Sequence, residues 1–184
     1  MHWLVREILG RTTRRITRIW FRRFETATTR CREVQHRGLF ERLKRNQTSA
    51  FGRAHRFDQI QSVADFRKHV PVADYSYFEP YIDRVKRGEV SAMFGPKTKL
   101  HMFATTSGTT ATPKFIPVTD EFLKEYRFGW MLWGIRTYDM HYAIYRLKVV
   151  QLSADWQQSH TDAGIPCGSI SGFMTRSTRL PSLY

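Results

Sequence analysis

Between residues 4 and 43 the apolar side chains Ile8, Ile16, Ile19, Trp20, Phe24, Cys31, Val34, Leu39 and Leu43 mostly recur at intervals of three, four or seven, with arginines between them. That is the period of one face of an α-helix, and it predicts one long or broken amphipathic helix closed by the polar and small residues of 46–52. A short element follows at 57–60. Ser62 with Asp65 three positions on is a capping-box signature for a helix through His69, and Pro71 stops it by disfavouring the α conformation in the residue before it. Ser76 and Glu79 repeat the signature ahead of Tyr81, Ile82 and Val85, with Pro80 in the first turn and Gly88 at the left-handed position that ends a helix.

Beyond Gly95 and Pro96 the pattern shortens. Residues 99–105 alternate loosely around Leu100, Met102 and Phe103 and predict a strand, and a second strand follows at 115–118. Thr119 caps the next predicted helix, with Asp120 and Glu121 against its positive end and Phe122, Tyr126, Trp130 and Trp133 as its buried stripe. Residues 148–152 are a third candidate strand, while 159–182 is rich in Gly, Ser, Thr and Pro and has no period.

Composition narrows the class. The 184 residues are 41% hydrophobic and 14% aromatic, which is globular rather than disordered. No apolar run approaches the roughly 18 to 20 residues that span a bilayer, and no secretory h-region opens the chain, so a cytoplasmic protein is expected. Cys31 and Cys167 have neither disulfide-framework nor metal-ligand spacing, and are expected to be inert, buried or partly buried thiols. The net charge of +14 is uneven: residues 1–56 carry 15 Arg or Lys against 4 acids, and residues 57–184 carry 15 against 12. The excess therefore belongs to the N-terminal segment, where two readings stand: a helix packed on the domain that follows, with a solvated basic face, or a module for nucleic acid or an anionic membrane surface using Trp3, Trp20 and Phe24. Glu7, Glu25 and Glu33 argue against an organellar transit peptide.

The segment that carries chemistry is Thr105-Thr106-Ser107-Gly108-Thr109-Thr110-Ala111-Thr112-Pro113-Lys114, between the first two predicted strands. Its first six residues carry five hydroxyls. A triphosphate needs many short donors and a close backbone, which the hydroxyls and Gly108 supply, and Lys114 adds positive charge. The common P-loop is excluded, since it needs Gly directly before the Lys and Ser or Thr directly after, where this chain has Pro113 and Phe115.

The string resembles the Ser/Thr-Ser-Gly-Thr-Thr-Gly-x-Pro-Lys signature of the adenylate-forming superfamily, with Ala111 in place of its second Gly. Flanking matches point to one branch: Phe66-Arg67-Lys68-His69-Val70-Pro71-Val72-Ala73-Asp74-Tyr75, Pro80-Tyr81-Ile82-Asp83-Arg84-Val85, Gly88-Glu89 and Pro117, together with Phe51-Gly52 and His55. In order and spacing these look like the auxin-responsive-promoter family of acyl-acid amido synthetases and its bacterial relatives, over residues 38–125.

The resemblance implies an α/β fold: an N-terminal helical segment, then the first, incomplete part of the large sheet-bearing domain of an adenylate-forming enzyme. The division expected is an Arg-rich amphipathic helical segment over 1–45 and a partial adenylation domain over 46–184 containing the loop 105–114. It further implies that Thr106, Ser107, Gly108, Thr109, Thr110 and Lys114 bind the phosphates of ATP, with Mg2+ accompanying the nucleotide and a carboxylic acid and an amino acid as substrates. No catalytic acid or base and no protein metal ligand can be named. Family members are longer, so the chain is expected to be an N-terminal fragment, inactive alone. Two other constellations carry less: Gly168-Ser169-Ile170-Ser171-Gly172 has Ile where a nucleophile elbow needs Ser, and reads as a glycine-bounded turn. His160 and Asp162 lack a nucleophile and read as surface loop, and His101 as a strand residue.

Overall fold

The computed structural model describes residues 2–106, 113–141, 143–144 and 150–177. The chain forms two compact units, residues 1–36 with 122–150, and residues 37–121 with 151–184.

In the first unit, of the two expected forms, one long or a broken basic helix, the broken one is found: α1 runs His2–Thr28 and α2 starts at Cys31 and continues to Asn46. The Arg18 guanidinium reaches Asp139 at 3.5 Å, and Arg136 lies 5.2 Å over the ring of Phe21, so cations on both helices take part where α1 meets α6 (Asp120–Met140). The expected buried aromatic stripe of α6 is corrected here. Phe122, Trp130 and Trp133 are exposed, the last at 61%, whereas Leu123, Leu132 and Ile135 are buried. Aromatic residues at helical spacing do mark one face, but the sequence does not say which face the chain covers.

The second unit holds the sheet. Asn46 ends α2, but Ala50–Ala54 is helical again (α3), capped by Ser49, whose hydroxyl accepts from the Gly52 amide at 2.9 Å. Gly52 is required there, because a Cβ would lie 2.2 Å from the Asn46 carbonyl oxygen. Phe51 is then the hub of an aromatic nest, stacked on His55 at 3.9 Å between centroids and edge-on to Tyr81 at 5.1 Å. A 3-10 turn at Phe57–Gln59 leads to α4 (Val63–His69), whose Ser62 and Asp65 form the predicted capping box in full.

α5 (Tyr75–Lys86) starts earlier than Ser76 and Glu79 implied, because Asp74 is its cap and accepts from the Ser76 amide. Pro80 is consequently inside the helix and not in its first turn, which removes the hydrogen bond its nitrogen would have made one turn back. The C-terminus ends as expected. Gly88 has φ +93°, its amide donates to Val85 and the Glu89 amide to Arg84, the paired bonds of a Schellman motif, and the Arg84 guanidinium pairs with Glu89 alongside.

Both predicted strands of the loop hairpin form, as β1 (Leu100–Thr105) and β2 (Phe115–Thr119). They pair antiparallel from Thr105 opposite Phe115 to Leu100 opposite Thr119, with a bulge between Leu100 and Met102. Pro117 is tolerated because β2 is an edge strand. The featureless reading of 159–182 is overturned: β3 (Ser159–His160), β4 (Pro166–Gly168) and α7 (Ile170–Ser177) lie there. Strands of two and three residues are too short to display a period. The sheet order is β2-β1-β4-β3, with β1 parallel to β4 and β3 antiparallel to it. Of the third candidate strand, residues 150–152 are in no strand, with Val150 and Leu152 almost fully exposed; residues 148–149 lie outside those described. α5 packs on one face of the sheet, where Ile82, Val85 and Ala92 meet Phe103 and Cys167 to form the core.

Candidate functional site

The loop of interest is the β1–β2 connection, so a rooted two-stranded stem presents it. Phe103 and Met102 of β1 and Val118 of β2 are wholly buried, which fixes the hairpin against the unit's core. At the mouth, the Thr106 amide donates to the Lys114 carbonyl at 3.2 Å and the Lys114 amide donates to the Thr106 hydroxyl oxygen at 3.3 Å. Both residues are exposed. Ser107, Gly108, Thr109 and Thr110 lie outside the described residues, and so does Ala111. Of the six sequence-predicted site residues, the structure therefore brings Thr106 and Lys114 together at the base of the loop.

The start of α5 reaches this base. The Phe115 amide donates to the Tyr75 phenol oxygen at 2.9 Å, and the Tyr75 hydroxyl lies 3.4 Å from the Phe115 carbonyl oxygen. Lys114 Nζ is 5.6 Å from the centre of the Tyr75 ring, within cation–π range. Asp74 is held below the usual carboxylate range, first by the Ser76 hydroxyl and last by the charge of Lys114. Neither Asp74 nor Tyr75 was assigned a role from sequence, since nothing in their spacing shows that the start of α5 approaches a hairpin 40 residues later.

Donors at the loop base suit a polyphosphate. Lys114 supplies charge, and the Thr106 hydroxyl, whose oxygen accepts the Lys114 amide, retains its own proton for a ligand. Among the described residues there is no group of three or more His, Cys, Asp or Glu placed to hold a metal ion. Nor is any described helix long and apolar enough to cross a membrane.

His101 is in β1, 5.9 Å from the Phe173 ring. His160 and Asp162 are exposed, and with Asp83, Lys86, Arg87 and Cys167 they line a cavity of 260 Å³ whose charges are mixed. Gly168 to Gly172 is a strand-to-helix junction and not a turn alone, with Ile170 opening α7. Cys167 is buried as expected, and burial pushes its thiol pKa up, partly offset by Lys86; Cys31 is exposed, correcting the expectation for it. Along α1, Ile8 and Ile19 are 61% and 56% exposed and Trp20 and Phe24 are exposed too, so the packing reading does not account for these side chains.

Known proteins resemble this arrangement. The solved structure of AtGH3.15 acyl acid amido synthetase in complex with 2,4-DB superposes with a TM-score of 0.74 over 86% of this chain and 28% of its own, at 24% identity, which gives the fold. In sequence, the chain is 30% identical over 112 residues to a probable indole-3-acetic acid-amido synthetase, GH3.13, of Oryza sativa subsp. japonica, covering 56% of this chain and 24% of that protein. It is 33% identical over 102 residues to indole-3-acetic acid-amido synthetase GH3.15 of Arabidopsis thaliana, covering 55% and 17%. The chain thus spans about a fifth of the length of these relatives. The model of the GH3 family N-terminal domain matches residues 21–184, loop, stem and α5 included, and on that match, with the shared fold, the chain belongs to the GH3 family.

Proposed function

We propose that residues 105–114 are the phosphate-binding loop of an ATP-dependent acyl-acid amido synthetase. The observation that carries the reading is the loop itself: six hydroxyls and a glycine within 105–114, on a hairpin stem closed by Thr106 and Lys114, whose side chains are exposed. Thr106, Ser107, Gly108, Thr109, Thr110 and Lys114 hold the phosphates of ATP through hydroxyls, backbone amides and one ammonium. A substrate carboxylate attacks the α-phosphorus, forming an acyl-adenylate and releasing pyrophosphate. An amino-acid amine then attacks the acyl carbon, forming the amide and releasing AMP. Mg2+ rides with the nucleotide and offsets phosphate charge.

In this reading residues 46–184 carry the nucleotide loop and residues 1–45 are an accessory helical segment, in a cytoplasmic enzyme. The 184 residues alone bind ATP but do not adenylate, since they cover about a fifth of the amido synthetases they match. Equilibrium ATP binding and acid-dependent exchange of labelled pyrophosphate into ATP test both halves. Binding without exchange is the expected result; an absence of binding overturns the loop assignment, and exchange at the rate of a full-length ligase overturns the inactivity.

A second reading is favoured by one observation, the exposed Ile8, Ile19, Trp20 and Phe24 on a helix with seven arginines and two glutamates. It makes α1 a contact for an anionic membrane surface. Salt-sensitive binding to phosphatidylserine vesicles, lost on deleting residues 1–37, supports it; indifference to vesicles, or equal binding to DNA, counts against it.

A further inference from the structure

We propose that Tyr75 is a positioning residue for the nucleotide loop, fixing the loop's exit through the Phe115 backbone and the Lys114 side chain through its ring. The inference rests on the phosphate-loop reading and adds a residue to it.

The stem has a weakness that Tyr75 repairs. β2 is an edge strand, so every second residue turns its amide and carbonyl away from β1. Lys114 faces inward, bonded to Thr106 in both directions, and Phe115, next in line, has its two backbone groups met by one phenol. An edge residue left to water would let the loop's last turn fray. Tyr75 prevents this because it is itself fixed. It is the first residue of α5, it packs against the cluster of Ile82, Val85, Phe103 and Cys167, and the Asp74 carboxylate caps the helix at its root.

Lys114 is thereby held at both ends. Its backbone is tied to Thr106, its neighbour is tied to Tyr75, and its ammonium lies 5.6 Å from the centre of the same ring. A lysine that otherwise samples many rotamers is kept near the loop mouth before any anion arrives, which lowers the ordering cost of binding. Tyr75 touches no reacting atom in this account and acts through Lys114 and the stem.

The test uses the whole chain with Tyr75→Phe, which keeps the ring and removes the hydroxyl, Tyr75→Leu, which removes both, and Lys114→Ala alone and combined with Tyr75→Leu. Amide hydrogen exchange and ATP titration are measured for each. Tyr75→Phe is expected to lower protection at the Phe115 amide about tenfold, the equivalent of one lost hydrogen bond, while the Val118 amide is unchanged. Tyr75→Leu is expected to weaken ATP binding by about tenfold in the parent but by much less in the Lys114→Ala background, since the ring acts through that lysine. Equal losses in both backgrounds, or unaltered protection at Phe115, overturn the proposal. A parent chain that binds no ATP defeats the phosphate-loop reading instead, and the Phe115 exchange then decides alone whether Tyr75 holds the stem.

Discussion

The Thr106 hydroxyl oxygen accepts the amide of Lys114 at 3.3 Å, tying the two sides of the loop base together. The bond uses an oxygen lone pair and a backbone proton. It leaves the hydroxyl proton and the lysine ammonium, the two groups able to meet a phosphate, outside the pairing.

Lys114→Ala should weaken ATP binding by roughly tenfold, the scale of one charge-assisted hydrogen bond, without lowering the melting temperature, because the side chain is exposed and the backbone bonds to Thr106 persist. Calorimetric titration beside a thermal melt checks both. A large loss of stability would mean that the lysine holds the stem and not the ligand.

His55 is 6% exposed, with Nδ1 2.7 Å from the Phe51 carbonyl oxygen and Nε2 2.5 Å from the Tyr77 hydroxyl. A carbonyl only accepts, so Nδ1 carries the proton and, in the neutral ring, Nε2 accepts from Tyr77. Tyr77→Phe leaves that nitrogen buried and unpaired, and should cost about 1 to 3 kcal/mol in denaturant unfolding. Loss of less than half a kcal/mol would show that water reaches the imidazole.

Asp65 is held below the usual carboxylate range, first by the Ser62 hydroxyl and then by the Gln61 amide. A depressed carboxylate stabilises the fold above its unfolded value, about 3.9, and that contribution disappears as pH falls through the lower, folded value. Asp65→Asn should therefore be less stable than the parent at pH 7, with the difference shrinking toward zero below about pH 4. A gap that is constant across pH would assign the effect to shape and not to charge.

The two thiols should separate cleanly. Cys31 is exposed and Cys167 is buried, with burial raising its pKa and Lys86 partly offsetting the rise. A disulfide reagent at pH 8 should titrate one thiol rapidly in the native protein and two after unfolding, since the thiolate is the reacting form. Cys31→Ser should abolish the fast phase.

What the sequence made legible follows from how local each signal is. The capping box of Ser62 and Asp65, the left-handed Gly88 and the two strands flanking residues 105–114 depend on neighbours a few positions apart, and all are readable. The face of α6 is not, because the buried Leu123, Leu132 and Ile135 and the exposed Trp130 and Trp133 all fall at helical spacing, and the period alone does not choose between them. β4 escaped because it joins β1 across some 60 residues through two residue pairs, and β3 because it is two residues long and pairs only with β4. Within the site, the order of residue types points to the loop, but Tyr75 is brought there by the tertiary fold. Its hydroxyl meets Phe115 across 40 positions, and no spacing rule anticipates that.

The central claim is that the amides and hydroxyls of residues 105–114 grip a polyphosphate. The most direct measurement is an amide-resolved NMR titration of the labelled chain with ATP, inorganic tripolyphosphate and adenosine in parallel. The account predicts that ATP and tripolyphosphate both move the resonances of Thr106, Ser107, Gly108, Thr109, Thr110 and Lys114, and that adenosine leaves them in place. Resonances that stay still under saturating ATP, or that respond to adenosine as they do to ATP, would contradict it.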